Sequence, residues 1–456
     1  MIQSINPATG HVIEGFEPHR PHEIDAILAA ARAAGRSWRE TSFAERATTM
    51  RRLAGLLRAE KASLARVATL EMGKPIGEAE AEVEKCAWGC EFYADHAGVF
   101  LAPEPVTSTA TESYVAYRPL GTILLVMPWN FPYWQVIRCL APIVMAGNTA
   151  ILKHSSQVSR CALEIERLGR EAGLPEGVFR TVLISGADAE WLVTDDRIAG
   201  VSLTGSEGAG AAVAAAAGRA LKPAVLELGG SDPFIVLGDA DLDGAIATAV
   251  RSRFQNTGQS CIAAKRFIVT APVHDDFVEG FAAAAGALTV GDPLDRATKL
   301  GPLVTAAQRD ILDRQVRATV ARGARVALAG GPMDGDGFFF APVVLAGVED
   351  DMVAFREETF GPVAAVIRAV DEDHAVALAN DTRYGLGGNV WTADVERGKD
   401  LAARLETGNV FVNGMTASDP RLPFGGVKRS GYGRELSVQG IRSFVNVQTV
   451  WVGPAT

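Results

Sequence analysis

Cys261 stands in the segment of this chain whose residue types most favour nucleophilic chemistry. The segment, residues 255–265, reads Gln-Asn-Thr-Gly-Gln-Ser-Cys-Ile-Ala-Ala-Lys. Polar and flexible residues precede the cysteine, whereas a cysteine that fills a core prefers apolar neighbours. We expect a helix to start just after Cys261, where it would favour the thiolate, the nucleophilic form of the side chain. The segment therefore predicts a nucleophile, with core packing as the alternative.

Two other polar side chains stand where apolar runs end. Glu227 ends such a run next to Gly229 and Gly230, where burying a carboxylate is costly. It is either a general base whose pKa is raised by desolvation or one half of a structural ion pair. Asn130 lies between two prolines in Pro-Trp-Asn-Phe-Pro, residues 128–132. Its amide can donate to a developing oxyanion, or the residue can simply form a turn.

A glycine-rich segment, Gly-Ser-Glu-Gly-Ala-Gly at residues 205–210, follows a strand-like run and opens a helix. Backbone N–H groups at the start of a helix suit a pyrophosphate. The spacing differs from the G-x-G-x-x-G of the usual dinucleotide-binding segment, and close packing of helix on sheet is the competing explanation.

The order of strands and helices that must hold these residues predicts an α/β fold. Apolar residues at helical spacing predict helices between residues 22 and 100. From residue 121, helices alternate with short apolar strands, which indicates parallel sheets covered on both faces and ligands at the carboxyl ends of the strands. The predicted strands are 122–127, 149–153, 179–184, 200–204, 224–228, 234–237, 266–270, 325–329, 363–369 and 409–412.

The last strand-like run, residues 444–452, follows a glycine-rich stretch at 425–433 and stands alone. We expect its partner to be a sheet edge of another subunit, since an unpaired edge strand favours association. The run therefore predicts a homo-oligomer, either a dimer or a tetramer.

Composition excludes several classes of protein. The 456 residues predict two large lobes, and 48% hydrophobic with 21% charged residues excludes a disordered chain. A net charge of −10 disfavours a nucleic-acid surface, and no apolar run reaches the length of a membrane span. No secretory signal is visible, and five cysteines, an odd and sparse count, indicate a reducing cytoplasm. We expect no metal site, because Cys86 and Cys90 lack nearby histidines.

Taken together, the motifs resemble those of the aldehyde dehydrogenase superfamily, in its order and spacing and over nearly the whole chain. Within it the chain is most similar to bacterial succinate-semialdehyde dehydrogenases of the shorter type, on residues 228–234 and 424–431. The motifs that carry the resemblance are residues 128–132, Lys153, residues 204–206, 227–230, 258–261, 357–362 and 423–426.

The resemblance implies a catalytic role for three residues. Cys261 is the expected nucleophile, Glu227 the general base, and Asn130 together with the backbone amide of Cys261 the oxyanion hole. The thiolate adds to an aldehyde carbon, hydride leaves to a nicotinamide, and water activated by Glu227 hydrolyses the thioester. A dehydrogenase that transfers the acyl group to coenzyme A, or a non-catalytic nucleotide-binding protein, is the alternative.

The resemblance also implies the cofactor site, and the loop after the second strand indicates NADP, with NAD also possible. In many NAD-preferring relatives a glutamate occupies the position of Ser156, and its carboxylate would repel the 2′-phosphate of NADP. Lys153 can supply positive charge to that phosphate. The full set of expected cofactor residues is Trp129, Lys153, Ser155, Ser156, Gly205, Ser206, Leu228, Glu358 and Phe360.

The expected substrate is a small aldehyde with a distal carboxylate. Arg138 lies eight residues after Asn130 and four after Trp134, so Trp134 and Arg138 share one face of a helix. An arginine offers a forked donor that matches a carboxylate, and a surface ion pair is its alternative role. Ser418 and Ser260 are weaker expected contacts. Another small aldehyde, such as glutarate semialdehyde, stays open.

The fold that the resemblance implies has three parts. A Rossmann-type cofactor domain comprises residues 1–100 and 120–228, and an α/β catalytic domain comprises residues 229–428. A small β oligomerisation arm comprises residues 101–119 and 436–456.

Overall fold

A computed structural model describes residues 1–186 and 188–454 of the chain. Its strands are β1 (Ile2–Ile5), β2 (Val12–Phe16), β3 (Glu104–Pro105), β4 (Glu112–Pro119), β5 (Thr122–Met127), β6 (Thr149–His154), β7 (Phe179–Thr181), β8 (Ile198–Thr204), β9 (Ala224–Glu227), β10 (Asp232–Val236), β11 (Ala264–Thr270), β12 (Arg325–Leu328), β13 (Gly331–Pro332), β14 (Phe340–Ala341), β15 (Val343–Ala346), β16 (Val363–Ala369), β17 (Gly387–Trp391), β18 (Asn409–Val412), β19 (Gly431–Tyr432) and β20 (Val445–Val452).

The helices lie between these strands and, near the amino terminus, follow one another directly. They are α1 (Pro21–Trp38), α2 (Phe43–Ala59), α3 (Lys61–Met72), α4 (Ile76–Phe100), α5 (Trp134–Met145), α6 (Ser159–Ala172), α7 (Ala189–Thr194), α8 (Glu207–Arg219), α9 (Leu242–Phe254), α10 (His274–Gly286), α11 (Ala306–Val320), α12 (Val353–Arg356), α13 (Glu372–Asn380), α14 (Val395–Arg404) and α15 (Ser437–Arg442). Short 3₁₀ turns occur at Ser156–Val158, Gln255–Gly258 and Lys428–Ser430. Within the described residues, no helix combines the length and the apolar character needed to cross a bilayer.

Two large sheets form the centre of the fold, as the α/β prediction expected. The first runs in the order β19-β9-β8-β5-β6-β7, and all of its strands except β19 are parallel. The second runs β12-β15-β16-β11-β10-β17-β18, and only β12 is antiparallel. In the first sheet the chain passes from β5 outward to β7 and returns on the other side of β5 to form β8. The connection therefore reverses direction between β5 and β8.

The central strands read as continuous apolar runs because helices cover both faces of each sheet. Along β5, Ile123 and Leu125 pack in a core with α2 to α6, whereas Leu124 packs on the opposite face in a core with α1 and α8. Alternate residues of β10 divide between two cores in the same way, with Ile235 on one side and Phe234 on the other.

The terminal strand β20 pairs within its own chain, which corrects one expectation. It runs antiparallel to β4 from Val445 opposite Pro119 to Val452 opposite Glu112, and β3 completes a three-stranded sheet. The expectation that its partner is a sheet edge of another subunit was wrong, because β20 pairs with β4 of the same chain, more than three hundred residues earlier in the sequence. Residues 455 and 456 of the expected arm lie outside the described residues.

Candidate active site

Two cavities meet at Cys261, which lines both of them. The first, here called cavity A, is lined by Trp129, Asn130, Gly205, Ser206, Leu228, Glu358 and Phe360 together with Cys261. The second, cavity B, is lined by Lys85, Trp134, Arg138, Ser260 and Ser418 together with Cys261. The structure thus gathers most of the predicted cofactor residues on one side of the thiol and all four predicted substrate residues on the other.

Cys261 lies in a turn between the 3₁₀ turn Gln255–Gly258 and strand β11. No helix begins there, so the expected contribution of a helix start to the thiolate is wrong. Burial raises the pKa of the Cys261 thiol to about 12, while the positive charges of Arg138 and Lys265 act in the opposite direction. Side-chain cations, and not a helix, therefore favour the thiolate here.

The backbone before Cys261 is held in an unusual conformation. Asn256 and Thr257 both have φ of 54°, and Gly258 follows with φ of 73°. A β-branched residue in this region is strained, so the surroundings must enforce it. Thr257 Oγ1 accepts from the N–H of Gly301 at 3.0 Å and donates to its carbonyl at 3.3 Å. A Cβ on Gly258 would lie 2.4 Å from the carbonyl oxygen of Gly361, so only glycine fits.

Two fully buried cations, which the sequence analysis missed, fasten this loop. Lys265 Nζ donates to the carbonyls of Ser260 at 3.0 Å and Cys261 at 2.9 Å. Arg253 Nη2 donates to the carbonyls of Gly258 and Gly361, each at 2.6 Å. Because both act on backbone oxygens, they fix the position of the nucleophile loop. A lysine at the start of the apolar run 264–270 was the signal that could have shown one of them.

Two hydrogen bonds fix the orientation of the Asn130 amide. Its Oδ1 accepts from Gln135 Nε2 at 3.0 Å, which fixes which end of the amide is the nitrogen, and its Nδ2 donates to the Gln259 carbonyl at 3.0 Å. One Nδ2 hydrogen remains. In the part of the chain that the structure describes, the backbone N–H of Cys261 also has no acceptor. Two donors are therefore available beside the thiol in cavity A.

Glu227 is buried away from both cavities. It ends β9, opposite Thr204 on β8 and Gly431 on β19, and its side chain is 2% exposed. Neither carboxyl oxygen has a hydrogen-bond partner among the described residues, and Glu227 is missing from those that line either cavity. Burial, and next the carboxylate of Glu435, raise the pKa of Glu227 well above its usual range. This position favours the neutral carboxylic acid.

Arg138, the predicted ligand of the substrate carboxylate, forms a buried ion pair, so the alternative of a surface ion pair was wrong. Its guanidinium pairs with the carboxylate of Glu435, and Nη2 donates to Thr204 Oγ1 at 3.1 Å. Glu435 in turn accepts from Cys139 Sγ at 2.7 Å and Ser202 Oγ at 3.1 Å. Arg138 therefore lines cavity B with a charge that the protein already balances.

Ser418 joins two other residues of cavity B. Its Oγ accepts from Lys85 Nζ at 2.7 Å and from Trp134 Nε1 at 3.0 Å. The Lys85 ammonium also lies 4.6 Å from the centroid of the Trp134 ring. Lys85 was missed by the sequence analysis, although it stands three residues after the buried Glu82 on the same face of α4.

Cavity A lies at the point where the connection of the first sheet reverses. Residues 128–130 follow the carboxyl end of β5, and Gly205 and Ser206 follow that of β8, before α8 begins. Doubly wound sheets bind ligands at this place. The packing explanation for the glycines holds for Gly210, where a Cβ would lie 2.5 Å from the Leu228 side chain, but not for Gly205.

Aromatic and charged side chains also line cavity A. Trp129 and Phe360 meet edge to face with ring centroids 5.7 Å apart. The Glu358 carboxylate accepts from the backbone N–H of Gly230 at 3.1 Å and lies 3.4 Å from Lys265 Nζ.

Lys153, Ser155 and Ser156 lie at the end of β6 and line neither cavity A nor cavity B. Lys153 is buried, whereas Ser156 is exposed at the first position of a 3₁₀ turn. His154 between them is buried, with its ring nitrogens against the carbonyls of Met127 and Pro132, and burial lowers its pKa to about 4. It is therefore neutral and adds no charge to this loop.

Comparison with known proteins decides the family. A sequence model described as the aldehyde dehydrogenase family matches residues 1–450. The chain belongs to this family. It is 50% identical over 454 residues to succinate-semialdehyde dehydrogenase NADP(+) 1 of Mycobacterium tuberculosis, covering 99% of each chain. A second relative, succinate-semialdehyde dehydrogenase NADP(+) of Mycobacterium avium, is 50% identical over 456 residues, which cover 99% of this chain and 97% of the other.

Solved structures agree with this fold over almost the whole chain. Succinic semialdehyde dehydrogenase from Streptococcus pyogenes, solved in complex with NADP+, superposes with a TM-score of 0.97 at 38% identity and covers 100% of both chains. An NADP-dependent enzyme of E. coli superposes with a TM-score of 0.96 at 35% identity, covering 99% of this chain and 95% of the other. The α/β fold expected from the sequence is thereby confirmed.

Proposed function

We propose that this aldehyde dehydrogenase oxidises succinate semialdehyde to succinate with NADP as the oxidant. The observation that carries the proposal is the position of Cys261 between a cavity at the reversal point of the first sheet and a cavity with cationic donors. The relatives that are 50% identical over almost the whole chain carry the corresponding name.

The nucleophilic step uses Cys261 and the two free donors beside it. The thiol loses its proton and Sγ forms a bond to the aldehyde carbon, which turns the carbonyl oxygen into an oxyanion. Asn130 Nδ2 and the backbone N–H of Cys261 donate to that oxygen. Arg138 and Lys265 provide the positive charge that favours the thiolate before the bond forms.

The residues around cavity A fit a dinucleotide. The aromatic and apolar walls suit a nicotinamide ring, Glu358 suits its ribose, and the start of α8 after Ser206 presents backbone N–H groups to a pyrophosphate. A bound NADP would supply the hydride acceptor for oxidation of the carbon bonded to Cys261 Sγ, and Cys261 would then carry the acyl group as a thioester. Lys153, Ser155 and Ser156, at the end of β6 and in the loop after it, are the residues proposed to hold the adenosine ribose and its 2′-phosphate.

Hydrolysis of the thioester is the proposed role of Glu227. Its carboxylate takes a proton from water as the oxygen attacks the acyl carbon, and the Cys261 thiolate is the leaving group. The overall reaction consumes aldehyde, NADP and water, and it yields the carboxylic acid, NADPH and a proton. For this step the Glu227 side chain must turn from its buried position toward Cys261 and lose its own proton.

An assay with and without coenzyme A tests the proposal. NADPH formation from succinate semialdehyde, followed by its near-ultraviolet absorbance, should proceed in the absence of coenzyme A and yield succinate. A rate that depends on coenzyme A and yields a thioester would instead assign the acylating reaction. A higher kcat/KM for glutarate semialdehyde would move the substrate to the longer homologue.

The domain division, the assembly and the cellular location belong to the same proposal. Strands β5 to β9 of the first sheet fall in the proposed cofactor domain at 120–228, and β19 joins this sheet from beyond residue 428. The strands of the second sheet fall in the proposed catalytic domain at 229–428. Segments 101–119 and 436–456 would then form the arm.

The arm supports a homo-oligomer, a dimer or a tetramer. In the described residues the outer edge of β20 pairs with no strand, and Val447, Trp451 and Val452 are exposed on it. A monomeric full-length protein in sedimentation experiments would overturn this assembly. The five cysteines, all unpaired, are consistent with a cytoplasmic location, which fractionation of the native cells tests.

A further inference from the structure

Four charged side chains line cavity B, and the protein itself compensates the charge of three of them. The four are Glu78, Glu82, Lys85 and Arg138. Glu82 pairs with the buried Lys74 and also accepts from the backbone N–H groups of Tyr133 at 2.8 Å and Trp134 at 2.9 Å. Its charge is thus divided between a lysine and the start of α5.

Arg138 and Glu78 have partners of their own. Arg138 is balanced by Glu435, as described above. Glu78 accepts from the backbone N–H of Asn256 at 2.7 Å, and burial raises its pKa to about 7. Neither side chain therefore leaves a full charge without compensation in the cavity.

Lys85 is different, because in the described chain no carboxylate lies within ion-pair distance of its ammonium. Its polar contact is the Ser418 hydroxyl, and the face of the Trp134 ring holds it from one side. A half-buried ammonium with one neutral acceptor has two N–H groups left, and it lacks a counter-charge. It is the unbalanced cation of cavity B.

The Ser418 hydroxyl points to the same conclusion. A hydroxyl oxygen accepts two hydrogen bonds, and Lys85 Nζ and Trp134 Nε1 already supply both. Its own hydrogen must therefore be donated elsewhere, and the described residues contain no acceptor for it. An ammonium and a hydroxyl hydrogen, both without acceptors, form a site for an anion that enters cavity B.

We propose that Lys85 is the residue that recognises the distal carboxylate of the aldehyde, with the Ser418 hydroxyl as its second donor. Arg138 lines the same cavity, but Glu435 already balances its charge. This inference rests on the proposed function, since it requires a substrate with a carboxylate. It assigns the selectivity for that carboxylate to a residue of α4, on the face that also carries Ala81 and Glu82.

The test compares succinate semialdehyde with butanal, which has the same chain length but no carboxylate. We expect Lys85→Met to lower the ratio of the two kcat/KM values by about 10- to 100-fold, as loss of one charged hydrogen bond implies, mainly through the KM of the anionic aldehyde. Lys85→Arg should restore most of the ratio. Lys61→Met is the control, because Lys61 pairs with Glu84 on the surface and lines neither cavity.

Inhibition by the product and thermal unfolding distinguish a loss of carboxylate recognition from poor folding of a variant. The product succinate should inhibit the parent competitively with the aldehyde, and the inhibition constant should rise by a similar factor in Lys85→Gln and Lys85→Met. Both variants should melt in one cooperative transition, as the parent does.

The outcomes separate the two proposals. If the parent protein has the same kcat/KM for butanal as for succinate semialdehyde, the proposed function is wrong, and the inference fails with it. A selective parent whose ratio survives Lys85→Met and Lys85→Gln would overturn the inference alone and assign the carboxylate to Arg138. An equal fall in the Lys61→Met ratio would also overturn it, since the effect would then not be specific to cavity B.

Discussion

The guanidinium of Arg138 is ion-paired with the carboxylate of Glu435, and both side chains are at least 96% buried. The pair joins α5 to the segment before α15, almost three hundred residues further along the chain. Arg138 therefore holds two distant parts of the site together, whatever it contributes to the substrate. Substitutions at this position should be interpreted through the pair and not through the substrate alone.

Removal of Arg138 alone should destabilise the protein. Arg138→Met leaves the Glu435 carboxylate buried without its counter-charge, and such a loss typically costs about 3–5 kcal/mol. The free energy of unfolding in urea measures it. The double variant Arg138→Met with Glu435→Gln should recover part of the loss, whereas removal of Arg51 from its exposed pair with Asp95 should have little effect. A double variant as unstable as the single one would show that the pair does not stabilise the fold.

Replacement of Cys261 should abolish oxidation and leave cofactor binding intact. The thiol is the only nucleophilic side chain that lines both cavities among the described residues, and Asn130 and Lys265 stay in place when Cys261 becomes alanine. We expect no NADPH from Cys261→Ala under conditions where the parent turns over many times. Titration of the variant with NADP should give a Kd close to that of the parent. Substantial turnover would remove Cys261 as the nucleophile.

Glu227→Gln should separate the two halves of the reaction. Loss of a general base usually slows its step by about 10²- to 10⁴-fold, so the variant should release about one NADPH per active site and then nearly stop. Burial raises the pKa of Glu227, so the carboxylate form increases as the pH rises and thioester hydrolysis should accelerate with pH in the parent. The variant should lose this dependence. A normal steady-state rate would exclude Glu227 as the base.

Strands could be predicted from the sequence where they consist mostly of apolar residues. β5, β16 and β18 have the predicted bounds because apolar residues make up most of each strand. β17 was missed because it begins with two glycines. At Gly387 a Cβ would lie 2.3 Å from Asp232 Oδ2, so close packing removes the side chain that would have marked the strand.

Some residues of the candidate site could be predicted from the short segments in which they stand, whereas others are brought together only by folding. Cys261 and Asn130 stand in short segments whose residue types suggest their chemistry directly. Lys85 and Ser418 are 333 positions apart, and only the folded chain brings them together. The same holds for the Arg138–Glu435 pair, which is why the sequence left Arg138 between a substrate role and a surface ion pair.

Recognition of the substrate should weaken as Lys85 loses its charge. Burial, followed by the positive charge of Arg138, lowers the pKa of Lys85 to about 8, whereas Glu82 on its own helix and Asp419 from the neighbouring loop act in the opposite direction. Below this pH the ammonium can bind a carboxylate, and above it the amine is neutral.

We therefore expect the KM for succinate semialdehyde to rise as the pH increases through about 8, with no matching rise for butanal. Lys85→Arg should hold the KM constant over the same interval, because a guanidinium stays protonated. If the KM values of both aldehydes rise equally with pH, the effect comes from ionisation of the nucleophile and not of Lys85.

The loop after β6 should control the choice between NADP and NAD. Ser156 is exposed and neutral, and the buried Lys153 lies near the end of β6, the strand before this loop, so the side chain at position 156 does not repel a 2′-phosphate. His154 is buried and neutral and does not contribute. A carboxylate placed about 4 Å from the phosphate would repel it by about 1–4 kcal/mol, depending on how well water screens the exposed loop. We expect Ser156→Glu to lower the ratio of kcat/KM for NADP to that for NAD by about 10-fold or more, whereas the neutral Ser156→Gln, of the same size, should change it far less. If the two variants alter the ratio equally, bulk and not charge acts at this position; if neither alters it, the preference is set elsewhere in the cofactor site.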